Sequence, residues 1–119
     1  MKTVLVIGAS EKVDRYSNKA VKMLIEKGFP VVAFGQRAGK IDAIEIVTDW
    51  SVINHIDTVT LYINPSLQEK YYQAIIELKP RRVLFNPGTE NRAFVKMLEE
   101  VGIETEEACT LVLLSTGVF

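Results

Sequence analysis

Four short apolar runs recur along the chain, and each is followed by a turn of small or polar residues. They occupy residues 4–7, 30–35, 57–63 and 82–85. Continuous apolar runs of this length are typical of strands that are buried on both faces of a parallel sheet. The pattern predicts four central strands, and residues 103–107 predict a short fifth strand at an edge.

Apolar residues at helical spacing fill the stretches between these runs. Ala20, Val21 and Leu24 lie on one face of a helix predicted over residues 17–27, and Gly28 ends that helix. A helix is also predicted after the third run and another after the fourth. The core face of the helix after the third run is predicted to contain Leu67, Tyr71, Ala74, Ile75 and Leu78. Residues 36–48 are the least regular part, with a polar loop and a short extended piece.

The alternation of strand and helix predicts an α/β fold, a Rossmann-like three-layer sandwich with a parallel sheet of about five strands. A strand order of 3-2-1-4-5, numbered along the chain, would put the chain reversal beside the first strand. The length of 119 residues corresponds to one domain, residues 1–119. Open parallel sheets bind ligands at this reversal, outside the carboxyl ends of their strands. The turns after the strands are therefore the candidate site.

The first of these turns is suited to a phosphate. Gly8, Ala9 and Ser10 let the backbone approach a ligand, and the helix that follows supplies N–H groups and a positive dipole end. The NAD fingerprint is absent, because the turn has one glycine and no acidic residue ends the second strand. Arg37 and Lys40 follow that strand instead and would attract a phosphate on the ribose. The residues therefore favour NADP or coenzyme A.

Composition narrows the class of partner. Fourteen Lys and Arg oppose fifteen Asp and Glu, so the formal charge of −1 gives no electrostatic case for nucleic acid or an anionic membrane. No run approaches the ~18 apolar residues of a membrane span, and the first run is too short for a signal peptide. Cys109 is the single cysteine, so a cytoplasmic protein is expected. No metal-ligand set and no nucleophile–base pair emerges, so no metal site and no catalytic residue is predicted.

Several segments in this order resemble the small single-domain CoA-binding proteins, which are similar to the N-terminal CoA-binding domain of the succinyl-CoA ligase alpha subunit. They are Val-Ile-Gly-Ala-Ser at 6–10, Arg15-x-Ser17, Lys-Gly-Phe-Pro-Val at 27–31 and Asn-Pro-Gly-Thr-Glu-Asn at 86–91. The resemblance covers nearly the whole chain. It implies a Rossmann-like domain that binds coenzyme A and has no ligase activity of its own.

The resemblance also implies roles for individual residues. The backbone of the first turn would hold the pyrophosphate with Arg15 and Ser17 beside it, and Asn64 and Pro65 would line the adenosine or pantetheine channel. The chain departs from the family after the second strand, where many members have an apolar residue followed by Asn-Pro, and at Asn86, where glutamine is common. The full candidate set is Gly8, Ala9, Ser10, Arg15, Ser17, Gln36, Arg37, Lys40, Asn64, Pro65 and Asn86.

Alternatives remain at this point. The first hypothesis is a module that binds coenzyme A or an acyl-CoA, and the alternative is a small NADP-dependent oxidoreductase or NADP-binding module. A homodimer or a separate catalytic partner stays open in either case. Arg15, Arg37 and Lys40 are also explained as ordinary solvated charges. Cys109 is either a core residue or a thiol near the reactive end of the ligand.

Overall fold

A seven-stranded sheet with helices on both faces forms the protein in the computed structural model, which describes residues 2–119. The strands are β1 (Val4–Ile7), β2 (Val31–Phe34), β3 (Gly39–Ile41), β4 (Ile44–Val47), β5 (Thr58–Leu61), β6 (Arg82–Phe85) and β7 (Glu104–Glu107). The α-helices are α1 (Tyr16–Glu26), α2 (Pro65–Gln68), α3 (Tyr72–Leu78), α4 (Arg92–Glu100) and α5 (Thr110–Ser115). Short 3₁₀ helices span Trp50–Val52 and Glu69–Tyr71. The predicted α/β fold class is confirmed.

The strand order is β3-β4-β2-β1-β5-β6-β7, and every pairing in the described chain is parallel except β3 with β4. The number and order of strands differ from the prediction. The strand predicted as third, β5, lies beside β1, and the place beside β2 belongs to β4. The irregular stretch is in fact a hairpin that buries Ile41 and Ile46 and turns at Asp42, where φ is 53°. The chain reversal nevertheless lies beside β1, as predicted.

Two hydrophobic cores lie on the two faces of the sheet, because successive side chains of a strand point to opposite faces. Leu5 and Ile7 of β1 point toward α3 and α4 and pack in a cluster with Phe85 and Phe94. Val4 and Val6 point toward α1 and α5 in a second cluster. Because β1 contributes side chains to both cores, it is apolar at every position.

The segment predicted as one helix after the third run is broken. It forms α2, the 3₁₀ turn and α3, and Gln68 at the break is completely buried. Its amide nitrogen Nε2 donates to the carbonyl oxygens of Ile63 at 2.9 Å and Thr89 at 2.7 Å. The prediction that Leu67 belongs to the core is wrong, since the break leaves this side chain 37% exposed.

The two ends of the sheet are short strands, β3 and β7. Strand β7 carries Glu104, Glu106 and Glu107. After α5 the chain returns to the core, where the ring of Phe119 packs edge-on against Phe29 at 5.1 Å between centroids. No helix in residues 2–119 has both the length and the apolar character that crossing a membrane requires.

Candidate functional site

A cleft of about 540 Å³ opens at the carboxyl ends of β1, β2 and β5, beside the chain reversal. The sequence predicted a ligand at this end of the central strands. The side chains and backbone of four segments form its walls. They are residues 7–12 with Arg15, residues 34–38, residues 62–64, and Leu67, Lys70 and Tyr71.

Close backbone packing shapes the first turn. Gly8 has φ of +98°, and a Cβ atom there would lie 3.0 Å from the carbonyl oxygen of Tyr62. A Cβ atom on Gly35 would collide with the carbonyl oxygen of Ala9. Both positions therefore require glycine, because a side chain on Gly8 would press against the backbone after β5 and one on Gly35 would push the ends of β1 and β2 apart. The close packing of the backbone at Gly8 and Gly35 shapes this part of the cleft.

The turn keeps only part of its backbone free for a ligand. The N–H groups of Gly8 and Ala9 both donate to the carbonyl oxygen of Phe34, at 2.9 and 3.0 Å. Within residues 2–119, the N–H groups of Ser10 and Glu11 have no acceptor in range. Of the three residues predicted to hold the phosphate, only Ser10 has a free N–H, and Glu11 supplies the second donor that an anion in the cleft would meet.

The N-terminus of α1 borders the same turn. Arg15 is the N-cap residue and lines the cleft, and no side chain caps the helix. Asn18, in the first turn of α1, donates from Nδ2 to the carbonyl oxygen of Ser10 at 2.9 Å and so holds the turn against the helix. The helix end, with its partial positive charge, is thereby fixed beside the cleft.

The charges of the cleft differ from those of the chain. Four basic residues, Lys12, Arg15, Arg37 and Lys70, line it with one acidic residue, Glu11, whereas the whole chain has a formal charge of −1. The Glu11 carboxylate accepts the backbone N–H of Lys40 at 2.9 Å and so ties the β3–β4 hairpin to the first turn. The excess of cations favours a ligand with several negative charges.

Phe34, Trp50 and Tyr71 form an aromatic cluster on one side of the cleft, which we call the aromatic wall. Phe34 and Tyr71 line the cleft. Phe34 meets Trp50 and Tyr71 edge-on, at 5.0 and 5.6 Å between ring centroids. Trp50 and Tyr71 stack at 5.6 Å with an interplanar angle of 27°. The ammonium of Lys70 lies 5.3 Å from the centroid of Tyr71. These contacts fix the orientation of Tyr71 within the wall.

Tyr62 carries a hydroxyl that faces the protein interior. The oxygen is buried and has no hydrogen-bond partner in the described part of the chain. Burial raises the pKa of the Tyr62 phenol to about 12. The hydroxyl is too enclosed to act on a ligand in the cleft.

The structure brings together seven of the eleven candidate residues from the sequence, namely Gly8, Ala9, Ser10, Arg15, Gln36, Arg37 and Asn64. Ser17, Lys40, Pro65 and Asn86 do not line the cleft. Ser17 is 4% exposed, Lys40 lies in the hairpin, and Pro65 is the first residue of α2. Cys109, half-buried before α5, is also outside the cleft.

Asn86 lies in a buried network instead. Its Nδ2 atom donates to the Thr60 hydroxyl at 2.7 Å and to the Leu61 carbonyl oxygen at 2.8 Å. Its Oδ1 atom accepts the N–H of Thr110 at 2.8 Å. Every polar atom of this side chain is therefore engaged in joining β5 and β6 to the start of α5.

Sequence reasoning missed Lys12, Lys70 and Tyr71 as cleft residues. Lys12 lies two positions after the first turn, and that proximity was a usable signal. Tyr71 was predicted to belong to the core; it packs against the core cluster and also lines the cleft. Lys70 and Tyr71 both lie in the 3₁₀ turn Glu69–Tyr71, which the apolar pattern does not encode, and both line the cleft.

The chain is similar to several known proteins. The profile of a family described as CoA binding domain matches residues 2–115. A crystal structure of an uncharacterized protein is 44% identical, with a TM-score of 0.96 over 100% of this chain and 98% of the other. A hypothetical protein from Pyrococcus horikoshii OT3 is 25% identical, with a TM-score of 0.87 over 97% and 82%. A Thermus thermophilus protein, cell-free ID.343, is 21% identical, with a TM-score of 0.87 over 99% and 90%. No curated protein sequence matches the chain significantly.

Proposed function

This chain belongs to the CoA-binding domain family, and we propose that its cleft binds coenzyme A or an acyl-CoA. The observation that carries the proposal is the cluster of four cations around a glycine-shaped turn at the chain reversal. Coenzyme A has a pyrophosphate and a ribose 3′-phosphate, so it presents several negative charges to such a cleft. The excess of cations in the cleft contrasts with the formal charge of −1 of the whole chain.

Each phosphate has a matching set of groups. The free N–H groups of Ser10 and Glu11 suit the pyrophosphate, and Arg15 adds a guanidinium at the helix end. Arg37, after β2, suits the 3′-phosphate on the ribose. The proposal assigns binding to this chain and leaves any reaction of the thioester to a separate partner.

Thermal shift and calorimetry with coenzyme A, acetyl-CoA, dephospho-CoA and NADPH test this function. Coenzyme A at a hundred times its Kd adds about 2.7 kcal/mol to the free energy of unfolding. For 119 residues this corresponds to a rise in Tm of about 10 °C. We expect a smaller rise with dephospho-CoA, which lacks the 3′-phosphate.

A pair of arginine variants supplies the control. Arg37→Gln is expected to weaken coenzyme A and to leave dephospho-CoA unchanged, whereas Arg92→Gln, at an exposed position of α4 outside the cleft, should change neither. Native mass spectrometry of freshly purified protein adds an independent search for a bound mass of coenzyme A. No shift with coenzyme A but a clear shift with NADPH would replace the proposal by NADP binding.

A further inference from the structure

The cleft walls include an apolar surface that phosphate binding does not require. Phe34, Leu67 and Tyr71 line the cleft together with the cations Arg37 and Lys70. Phosphates are bound by N–H groups and cations, and a partly exposed aromatic ring contributes nothing to them. This side of the cleft is therefore suited to a flat apolar group that carries a negative charge.

Tyr71 is the aromatic residue of this surface that a ligand can reach. Phe34 is 6% exposed, and Trp50 supports Tyr71 from outside the cleft lining. Contacts with both rings hold the Tyr71 ring in place, at 5.6 Å from each. A ring that is already fixed loses little conformational freedom when a ligand stacks on it.

Two cationic side chains near the Tyr71 ring are suited to bind a phosphate. Trp50 stacks on one face of Tyr71 and the Lys70 ammonium lies over the ring at 5.3 Å from its centroid, so Lys70 has to swing off the ring toward a phosphate when a base stacks there. Arg37 belongs to the loop after β2 in the same cleft. A planar base next to a phosphorylated ribose combines the two features that this surface offers. Base–aromatic stacking needs only a π-face and so suits Tyr71.

We infer that Tyr71 stacks on the adenine of the ligand and that Lys70, with Arg37, selects for its ribose phosphate. This inference rests on the proposed function and names the residues that recognise the adenosine end of coenzyme A. It predicts that adenosine 3′,5′-bisphosphate binds without the pantetheine arm. It also predicts that 4′-phosphopantetheine, which lacks the nucleoside, does not depend on Tyr71.

The chain offers a matched control for this pair. Tyr16 and Lys19 form a similar contact on α1, with the ammonium 5.5 Å from the ring centroid, and neither residue lines the cleft. Tyr16→Leu and Lys19→Gln therefore remove an equivalent pair from a different surface. These two variants measure the effect on ligand affinity of losing a cation–aromatic pair outside the cleft.

Calorimetry on the full chain tests the inference. We expect Tyr71→Leu to weaken coenzyme A and adenosine 3′,5′-bisphosphate about tenfold. Tyr71→Phe, which keeps the ring, should bind both like the unmodified protein. Lys70→Gln should weaken coenzyme A by up to about fivefold and leave dephospho-CoA unchanged. Neither Tyr16→Leu nor Lys19→Gln should change any of these affinities.

Trp50 is the single tryptophan and stacks on Tyr71, so its fluorescence adds a direct readout. It should change when coenzyme A or adenosine 3′,5′-bisphosphate binds and stay constant with 4′-phosphopantetheine. Coenzyme A binding that is equal in the unmodified protein and Tyr71→Leu would overturn the role of Tyr71 alone. An unmodified protein that binds neither coenzyme A nor the bisphosphate would overturn this inference and the proposed function together.

Discussion

Replacement of Asn86 by alanine should separate folding from binding at the carboxyl ends of the strands. The side chain is 2% exposed and makes three hydrogen bonds, to Thr60, Leu61 and Thr110. Asn86→Ala removes both the donor and the acceptor atoms. It leaves the Thr110 N–H and the Leu61 carbonyl oxygen buried without this partner.

The expected cost follows from the bonds that are lost. Each buried hydrogen bond contributes about 1 kcal/mol net, so three contribute about 3 kcal/mol. The entropy of unfolding is about 2.1 cal/mol/K per residue, or about 0.25 kcal/mol/K for the 119 residues here. The Tm of Asn86→Ala should therefore fall by about 12 °C.

Asn64→Ala is the matched comparison. Asn64 also precedes a proline after a strand, but it lines the cleft and caps α2 by accepting the N–H of Leu67 at 3.0 Å. Loss of an exposed N-cap costs about 1 kcal/mol, or about 4 °C in Tm. We expect weaker coenzyme A binding in Asn64→Ala and unchanged binding in Asn86→Ala.

Urea denaturation followed by circular dichroism gives the stabilities, and calorimetry at a temperature where both variants are folded gives the affinities. Two results would refute the reasoning about Asn86. One is a loss in the free energy of unfolding below 1 kcal/mol. The other is a loss of coenzyme A affinity greater than that of Asn64→Ala.

Three further predictions concern the cleft. Because the Tyr62 pKa is raised to about 12 from 10, stability should be full below pH 10 and fall by about 2–3 kcal/mol as the pH rises to 12. Urea midpoints should show that Tyr62→Phe lacks this alkaline loss, and an equal loss in both proteins would contradict the burial of the hydroxyl. Glu11→Gln removes the one carboxylate of the cleft and should tighten coenzyme A several-fold in low salt by calorimetry. Gly35→Ala should lower the free energy of unfolding by about 1–3 kcal/mol in urea, since its Cβ collides with the Ala9 carbonyl oxygen.

The central strands were predictable because burial on both faces requires an apolar residue at every position, as in Val4–Ile7. The β3–β4 hairpin was not, since its strands have three and four residues and expose Lys40 and Glu45. The predicted order was wrong for a related reason. An apolar run shows that a strand is buried, but it carries no information on which neighbour it pairs with.

The candidate site was predictable in its location and only partly in its residues. Asn64 and Asn86 have the same local sequence, an asparagine before a proline at the end of a buried strand. β5 borders the chain reversal, so Asn64 faces the cleft. β6 lies one strand further out, where the start of α5 covers its end and takes up the Asn86 side chain. Local sequence does not distinguish these environments.

The acidic edge strand limits how copies of this protein can meet. A second copy that paired with β7 edge to edge would bring a row of glutamates against an identical row. Like charges directly opposite each other destabilise such a pairing, and charged edges of this kind keep sheets from joining. The opposite edge, β3, offers only three residues. The two edges of the sheet therefore disfavour a continuous sheet that runs through several copies of this chain.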